Sequence, residues 1–145
     1  MIYLNVGFTG TKEGLLPLQR GSLFRASKAL TSTVGSPICL HHGDCIGADS
    51  EMHDIARSLG WRIEIHPPIL HKYRAFRDAD LMNLEGAYLW RNENIVKASD
   101  VMFSCPKAMF EQTRSGTWHA TRFARKKRKR IYLFWPDGSV TLENA

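Results

Sequence analysis

The sequence predicts an α/β fold: a three-layer sandwich with a mainly parallel five-stranded sheet, order 3-2-1-4-5, between two helical layers. Three observations predict it. Short apolar runs alternate with longer amphipathic segments, the pattern of parallel strands joined by crossover helices. Glycine-bearing loops follow the first two of those runs. The 145 residues, 43% hydrophobic and 23% charged, have the size and make-up of one globular domain, so residues 1–145 are expected to form a single unit.

Ile2–Phe8 (IYLNVGF) reads as the first strand, broken into a loop by Gly7, Gly10 and Gly14. Leu15–Thr31 is a helix with Leu15, Leu18, Leu23, Ala26 and Leu30 near helical spacing. Pro37–His42 is a short strand. Asp49–Leu59 is a helix with Met52, Ile55, Ala56 and Leu59 on one face, closed by Gly60. Arg62–His66 is the third strand, stopped by Pro67-Pro68. His71–Leu89 is irregular, and Glu85–Ala98 contains a helix. Asp100–Ser104 is the fourth strand, ended by Pro106; Thr117–Arg128 is a helix; Arg130–Trp135 is the fifth strand. Pro136-Asp137-Gly138 is a turn, after which Ser139–Leu142 can add a short edge strand. This order is Rossmann-like. Right-handed crossovers put all five strand C-terminal ends on one edge, where open α/β sheets bind ligands.

No apolar run approaches the roughly 20 residues needed to span a bilayer, so no membrane partner is expected. The N-terminus has neither a basic region nor an apolar stretch of the export type. Cys39, Cys45 and Cys105 are odd in number and form no C-x-x-C pair. Free thiols in a reducing cytoplasm fit them best. The formal net charge is +6, from 20 basic and 14 acidic residues. Seven of the basic residues are Arg122, Arg125, Lys126, Lys127, Arg128, Lys129 and Arg130; without them 13 face 14 acidic ones. A nucleic-acid partner must therefore use Arg125, Lys126, Lys127, Arg128, Lys129 and Arg130. That run also suits a solvated helix end, whose dipole favours cations. It lies opposite the expected ligand edge.

The loop Gly7-Phe8-Thr9-Gly10-Thr11 offers close backbone approach and two hydroxyls, which suit a phosphate beside a helix start. After the second strand comes His42-Gly43-Asp44-Cys45-Ile46-Gly47-Ala48-Asp49. Asp49 suits a helix N-cap or an acceptor for ribose or base. Asp44 has no capping task and is expected to face the pocket. Ser115-Gly116-Thr117 opens the helix after the fourth strand, so two anion loops face each other across the switch point. Arg91, with Asn92 beside it, can add a bidentate cation for phosphate. Together these features argue for a phosphorylated ligand, most simply a nucleotide.

The combination resembles the SLOG superfamily, which includes the DprA/Smf and LOG proteins, and most closely its small stand-alone YpsA-related branch. The motifs are G-F-T-G from Gly7, H-G-D-x-x-G-A-D from His42, R-N-x-x-I-V-x-x-S-D from Arg91, and S-G-T-x-x-A-T-x-x-A-x-x-x-x-K from Ser115. They cover about Tyr3–Gly138. The resemblance implies a Rossmann-like fold that binds nucleotides or nucleotide-derived ligands at Gly7–Thr11, Gly43–Asp49 and Ser115–Thr117. LOG-type phosphoribohydrolases carry P-G-G-x-G-T-x-x-E, whose glutamate assists N-glycosidic cleavage. Here Ala120 holds that position and the double glycine is missing.

Binding of a nucleotide-like signal, by sensing or sequestration, is thus the first expectation. A nucleotide-processing hydrolase of the N-glycosidase or phosphoribohydrolase kind is the alternative, with Asp44 or Glu111 as its acid or base. DprA-like nucleic-acid binding through the basic run is the third. No zinc-type spacing occurs, and the adjacent His41 and His42 point to opposite strand faces, so neither a metal nor a cofactor is expected. His42 is expected to touch the ligand and His41 to be packed. Tyr73-Arg74-Ala75-Phe76-Arg77 suits base stacking or a subunit interface. Leu81–Trp90 carries more apolar surface than one helix face buries, which points to a homo-oligomer.

Overall fold

In the computed structural model, which describes residues 1–144, the chain runs β1 (Leu4–Gly10), α1 (Pro17–Thr33), β2 (Ile38–His42), α2 (Ala48–Ser58), β3 (Arg62–Ile65), β4 (Leu81–Met82), α3 (Tyr88–Ala98), β5 (Val101–Cys105), α4 (Gly116–Lys126), β6 (Arg130–Phe134) and β7 (Val140–Glu143). The sheet order is β4-β3-β2-β1-β5-β6-β7. All pairings are parallel except β6 with β7. The five expected strands occupy the centre in the expected order. The sheet is wider by one strand at each edge: β7, anticipated as a short edge strand, and β4, which was not.

Strand alternation divides the core in two. Val6, Phe8, Leu40, Ile63, Ile65 and Phe103 pack against Leu23 of α1 and Met52 of α2. Met102, Ile131 and Leu133 face the other way, against Ile95 and Val96 of α3 and Trp118 and Ala124 of α4. Because helices cover both faces, every residue of β2 and β5 is buried. Each fully buried Leu, Ile or Phe side chain contributes roughly 1.5–3 kcal/mol by burial.

Two local expectations need correction. The first strand begins at Leu4, not Ile2, and continues to Gly10, so Gly7 lies inside the ladder between His41 and Met102. A Cβ on Gly7 would collide with Ser99 and Met102, so glycine there lets the end of α3 close onto the sheet. In α1, Leu18 is exposed and Gln19 is buried instead. The Gln19 amide donates to the carbonyls of Pro106, 2.8 Å, and Phe134, 2.7 Å, which no ladder satisfies.

Candidate functional site

A cavity of about 400 Å³ opens at the C-terminal edge of the sheet. The end of β1 supplies Phe8, Thr9, Gly10 and Thr11; the loop after β2 supplies Gly43; the start of α2 supplies Asp49. Arg91 and Asn92 come from α3, and Ser115, Gly116 and Thr117 from the start of α4. These eleven are expected site residues, and the fold gathers them from segments that span Phe8 to Thr117 in sequence.

The α4 terminus is capped by Ser115, whose Oγ accepts from Trp118 N at 3.2 Å. The Gly116 and Thr117 amides ahead of it have no partner within the helix. Arg91 is only 4% exposed. Its Nε donates to Asn92 Oδ1 at 2.8 Å, and Nη1 donates to the carbonyls of Gly43 and His66. The Arg91 side chain also lines the cavity, beside Cys45 and Asp49. Gly43 makes this placement possible, because a Cβ there would sit 2.4 Å from Arg91 Nη1.

The structure takes four expected residues away from the cavity. Gly7 is in the ladder. Gly47, at φ +84°, caps α2 with its Cα against the backbone of Lys12, where any Cβ would clash. His42 is fully buried against α2; its Nε2 lies 2.9 Å from His53 Nδ1, and its Nδ1 accepts from Asp44 N at 2.9 Å. Asp44, also fully buried, turns from the cavity toward the segment after β3. Its Oδ2 accepts from Arg74 Nε and its Oδ1 from Arg77 N, both at 2.9 Å.

That segment is therefore held to the loop after β2. Ala75 N donates to Asp44 O at 2.7 Å and Ile46 N to Tyr73 O at 2.8 Å. Arg77 is engaged with Ser50 and Asp54. Of the expected aromatic–arginine stretch, Tyr73 alone lines the cavity. Asp49 is not the α2 cap, which is Gly47. Its Oδ2 instead accepts from Gly43 N and Cys45 N, each at 3.2 Å, and so shapes the loop. Burial raises its carboxyl from 3.8 to about 6, against the pull of Arg91.

Sequence reasoning missed several lining residues: Lys12, Glu13, Tyr88, Lys107, Gln112 and Arg114. Lys12 and Lys107 each stand two residues past the ends of β1 and β5, and that position was the available signal. Lys12 Nζ stands 4.1 Å over the Tyr73 ring. Lys107 lies 3.9 Å from Glu13, and Glu13 accepts from Thr11 Oγ1. Four cationic side chains thus meet two acidic ones around the cavity. Burial pushes the Cys45 thiol up to about 11, which keeps it protonated at neutral pH.

The other carboxylates considered as acids or bases have structural partners as well. Glu111 pairs with Arg122 at 3.0 Å and with Arg125 at 2.8 Å. Ala120 is buried in the second turn of α4. Within the basic run, Arg125 is held by Glu111 and Glu143, and Lys129 Nζ donates to Ser99 O. Lys126, Lys127, Arg128 and Arg130 remain exposed. Among the described residues no helix is long and apolar enough to cross a membrane.

No family model and no curated protein matches the chain. Solved structures do. The molybdenum cofactor binding protein of the phototrophic bacterium Rippkaea orientalis aligns at a TM-score of 0.70 and 18% identity, over 92% of this chain and 77% of that one. The Moco carrier protein of Chlamydomonas reinhardtii aligns at 0.66 and 19% identity, over 92% of this chain and 76% of that one. DNA processing protein A (DprA) of Streptococcus pneumoniae aligns at 0.63 and 14% identity, over 90% of this chain and 50% of that one. These likenesses, all below 20% identity, show the fold: the chain has the Rossmann-like α/β fold that its sequence led one to expect.

Proposed function

We propose that this protein binds a phosphorylated small molecule of nucleotide type at the C-terminal edge of its sheet, as a sensor, store or carrier of that ligand. The observation that carries this reading is the convergence of a buried guanidinium, Arg91, and the start of α4 on one cavity. A desolvated cation and free helix amides favour an anion together, each reinforcing the other. Tyr73 and Tyr88 supply rings beside it for a planar group. The fold's neighbours that bind or carry the molybdenum cofactor support a small-molecule role and make that cofactor a second candidate ligand.

The hydrolase reading loses support, because Asp44 and Glu111 are committed to arginines. Nucleic-acid contact through Lys126, Lys127, Arg128 and Arg130 would be a separate activity on the opposite edge. It would reveal itself as oligonucleotide affinity that falls steeply with salt.

The deciding experiment is mass spectrometry of small molecules released from the protein purified from its native host, followed by titration with the molecule found. Release of an intact nucleotide, or of the molybdenum cofactor, supports binding; release of cleaved products supports an enzyme. Arg91→Lys and Arg91→Ala should weaken affinity, the latter by about 1.5–3 kcal/mol, roughly 10- to 150-fold. Lys127→Ala should change it little. The reverse pattern places the ligand elsewhere.

A further inference from the structure

On the face of the sheet opposite His42, three residues that the cavity does not use bring their donor atoms together. His41 and Glu64 are direct partners in the β2–β3 register. His66 follows Glu64 by two residues and so falls on the same side. His41 Nδ1 lies 3.0 Å from His66 Nε2 and 3.3 Å from Glu64 Oε2. All three donor atoms lie within 4.8 Å of one another.

The protons of neutral rings account for the histidine contacts but leave the carboxylate without a donor. His41 Nε2 is 2.9 Å from Asn5 Oδ1, an acceptor, which draws the single proton of a neutral ring to that nitrogen. Nδ1 is then a lone pair that can accept from His66 Nε2–H, and no proton is left between it and Glu64 Oε2, 3.3 Å away. Arg62 Nη2, at 4.0 Å, attends the other carboxylate oxygen, Oε1, and leaves Oε2 to the histidines.

We infer that His41 Nδ1, His66 Nε2 and Glu64 Oε2 form a binding site for a divalent transition metal of the zinc class. Two imidazoles and one carboxylate are a common zinc set, completed by water in the fourth position. With metal–ligand bonds of 2.0–2.1 Å, tetrahedral donors stand about 3.3–3.4 Å apart. The observed 3.0 and 3.3 Å need little adjustment. Asn5 supplies the outer contact that fixes the His41 tautomer and orients its ring. The Glu64 side chain is 21% exposed, so an ion reaches the site from solvent. The site is distinct from the cavity, although Arg91 touches the carbonyl of His66.

The test is titration of the chelator-stripped protein with Zn²⁺ and, for a spectroscopic signature, with Co²⁺. The expected result is one ion per chain and the visible absorption of four-coordinate Co²⁺. Glu64→Gln and His66→Ala should each abolish tight binding, and Asn5→Ala should weaken it about 10- to 100-fold. Glu64→Gln alters a partly exposed side chain without changing its shape, so it keeps the test valid if a histidine variant misfolds. His71→Ala removes the exposed His71–Glu85 pair and should leave binding unchanged. Absence of stoichiometric binding, wild-type affinity in Glu64→Gln, or loss of binding in His71→Ala overturns the assignment. None of these readouts depends on the cavity's ligand.

Discussion

Replacing Asp44 by asparagine separates two roles for this residue: a pin for the segment after β3, and a free acid at a ligand. Asp44 sits at φ +59°, a left-handed conformation that asparagine also adopts, so the backbone is not the variable. Its carboxylate accepts from both Arg74 Nε and Arg77 N. An amide has one oxygen, so one of those donors must then face an NH₂ group. The Arg74 side chain, 10% exposed, keeps only the exposed Glu85 as a carboxylate neighbour. Losing one charge-assisted hydrogen bond costs about 1.5–3 kcal/mol, and breaking a buried ion pair from one side costs about 3–5 kcal/mol in all. With a urea slope of about 2 kcal/mol/M, a 4 kcal/mol loss lowers the unfolding midpoint by about 2 M. Trypsin should also cut the variant faster at Lys72, Arg74 or Arg77. A midpoint shift below about 0.5 M, with cleavage at the native rate, would falsify the pin and return Asp44 to the candidate acids.

Other outcomes follow from the same geometry. The Asp49 carboxyl, raised to about 6 by burial, binds its proton more tightly folded than unfolded. Its contribution to stability is therefore present at low pH and lost as pH climbs from about 4 through about 6. The stability of the native chain relative to Asp49→Asn should fall by about 3 kcal/mol across that window, measured by urea unfolding, and level off above it; a flat difference would contradict the burial of this group. Gly10 and Gly116 differ in the room they leave: a Cβ on Gly10 would lie 2.6 Å from that of Ala48, whereas at Gly116 the nearest atom is Asn92 Nδ2 at 3.8 Å. Gly116→Leu should thus keep the native melting temperature and lose ligand, while Gly10→Leu should lose stability as well; a Gly116 variant that binds normally would misplace the site. Leu84, Leu89 and Trp90 are more than half exposed, so sedimentation should give at least a dimer mass, and a monomer at micromolar concentration would count against association.

The central strands were legible because each is a short apolar run closed by glycine or proline, and burial on both faces leaves such runs little choice. β4 was not, since two exposed residues, Leu81 and Met82, carry no periodicity. The cavity's outline was legible in the loops at strand ends. What could not be read was the direction of a side chain. Asp44 turns away because its partners lie 30 and 33 residues further on. Gln19 displaces Leu18 from the buried face of α1 because two distant carbonyls need a donor. His41, Glu64 and His66 meet only through the β2–β3 register, which no spacing in one dimension reveals.

The two rims of the sheet bear on how much backbone is open to strand addition. A parallel sheet with long free edges is a template for strand addition and fibrous aggregation. Here β4 ends one rim after two residues, and β7 turns the other antiparallel with the charged Glu143 at its end. The edge strands are thus short, two residues at β4 and four at β7, which limits the backbone open to a neighbour. A homo-oligomer of the kind the sedimentation experiment tests would then rest on side-chain contact, for which Leu84, Leu89 and Trp90 are exposed apolar groups.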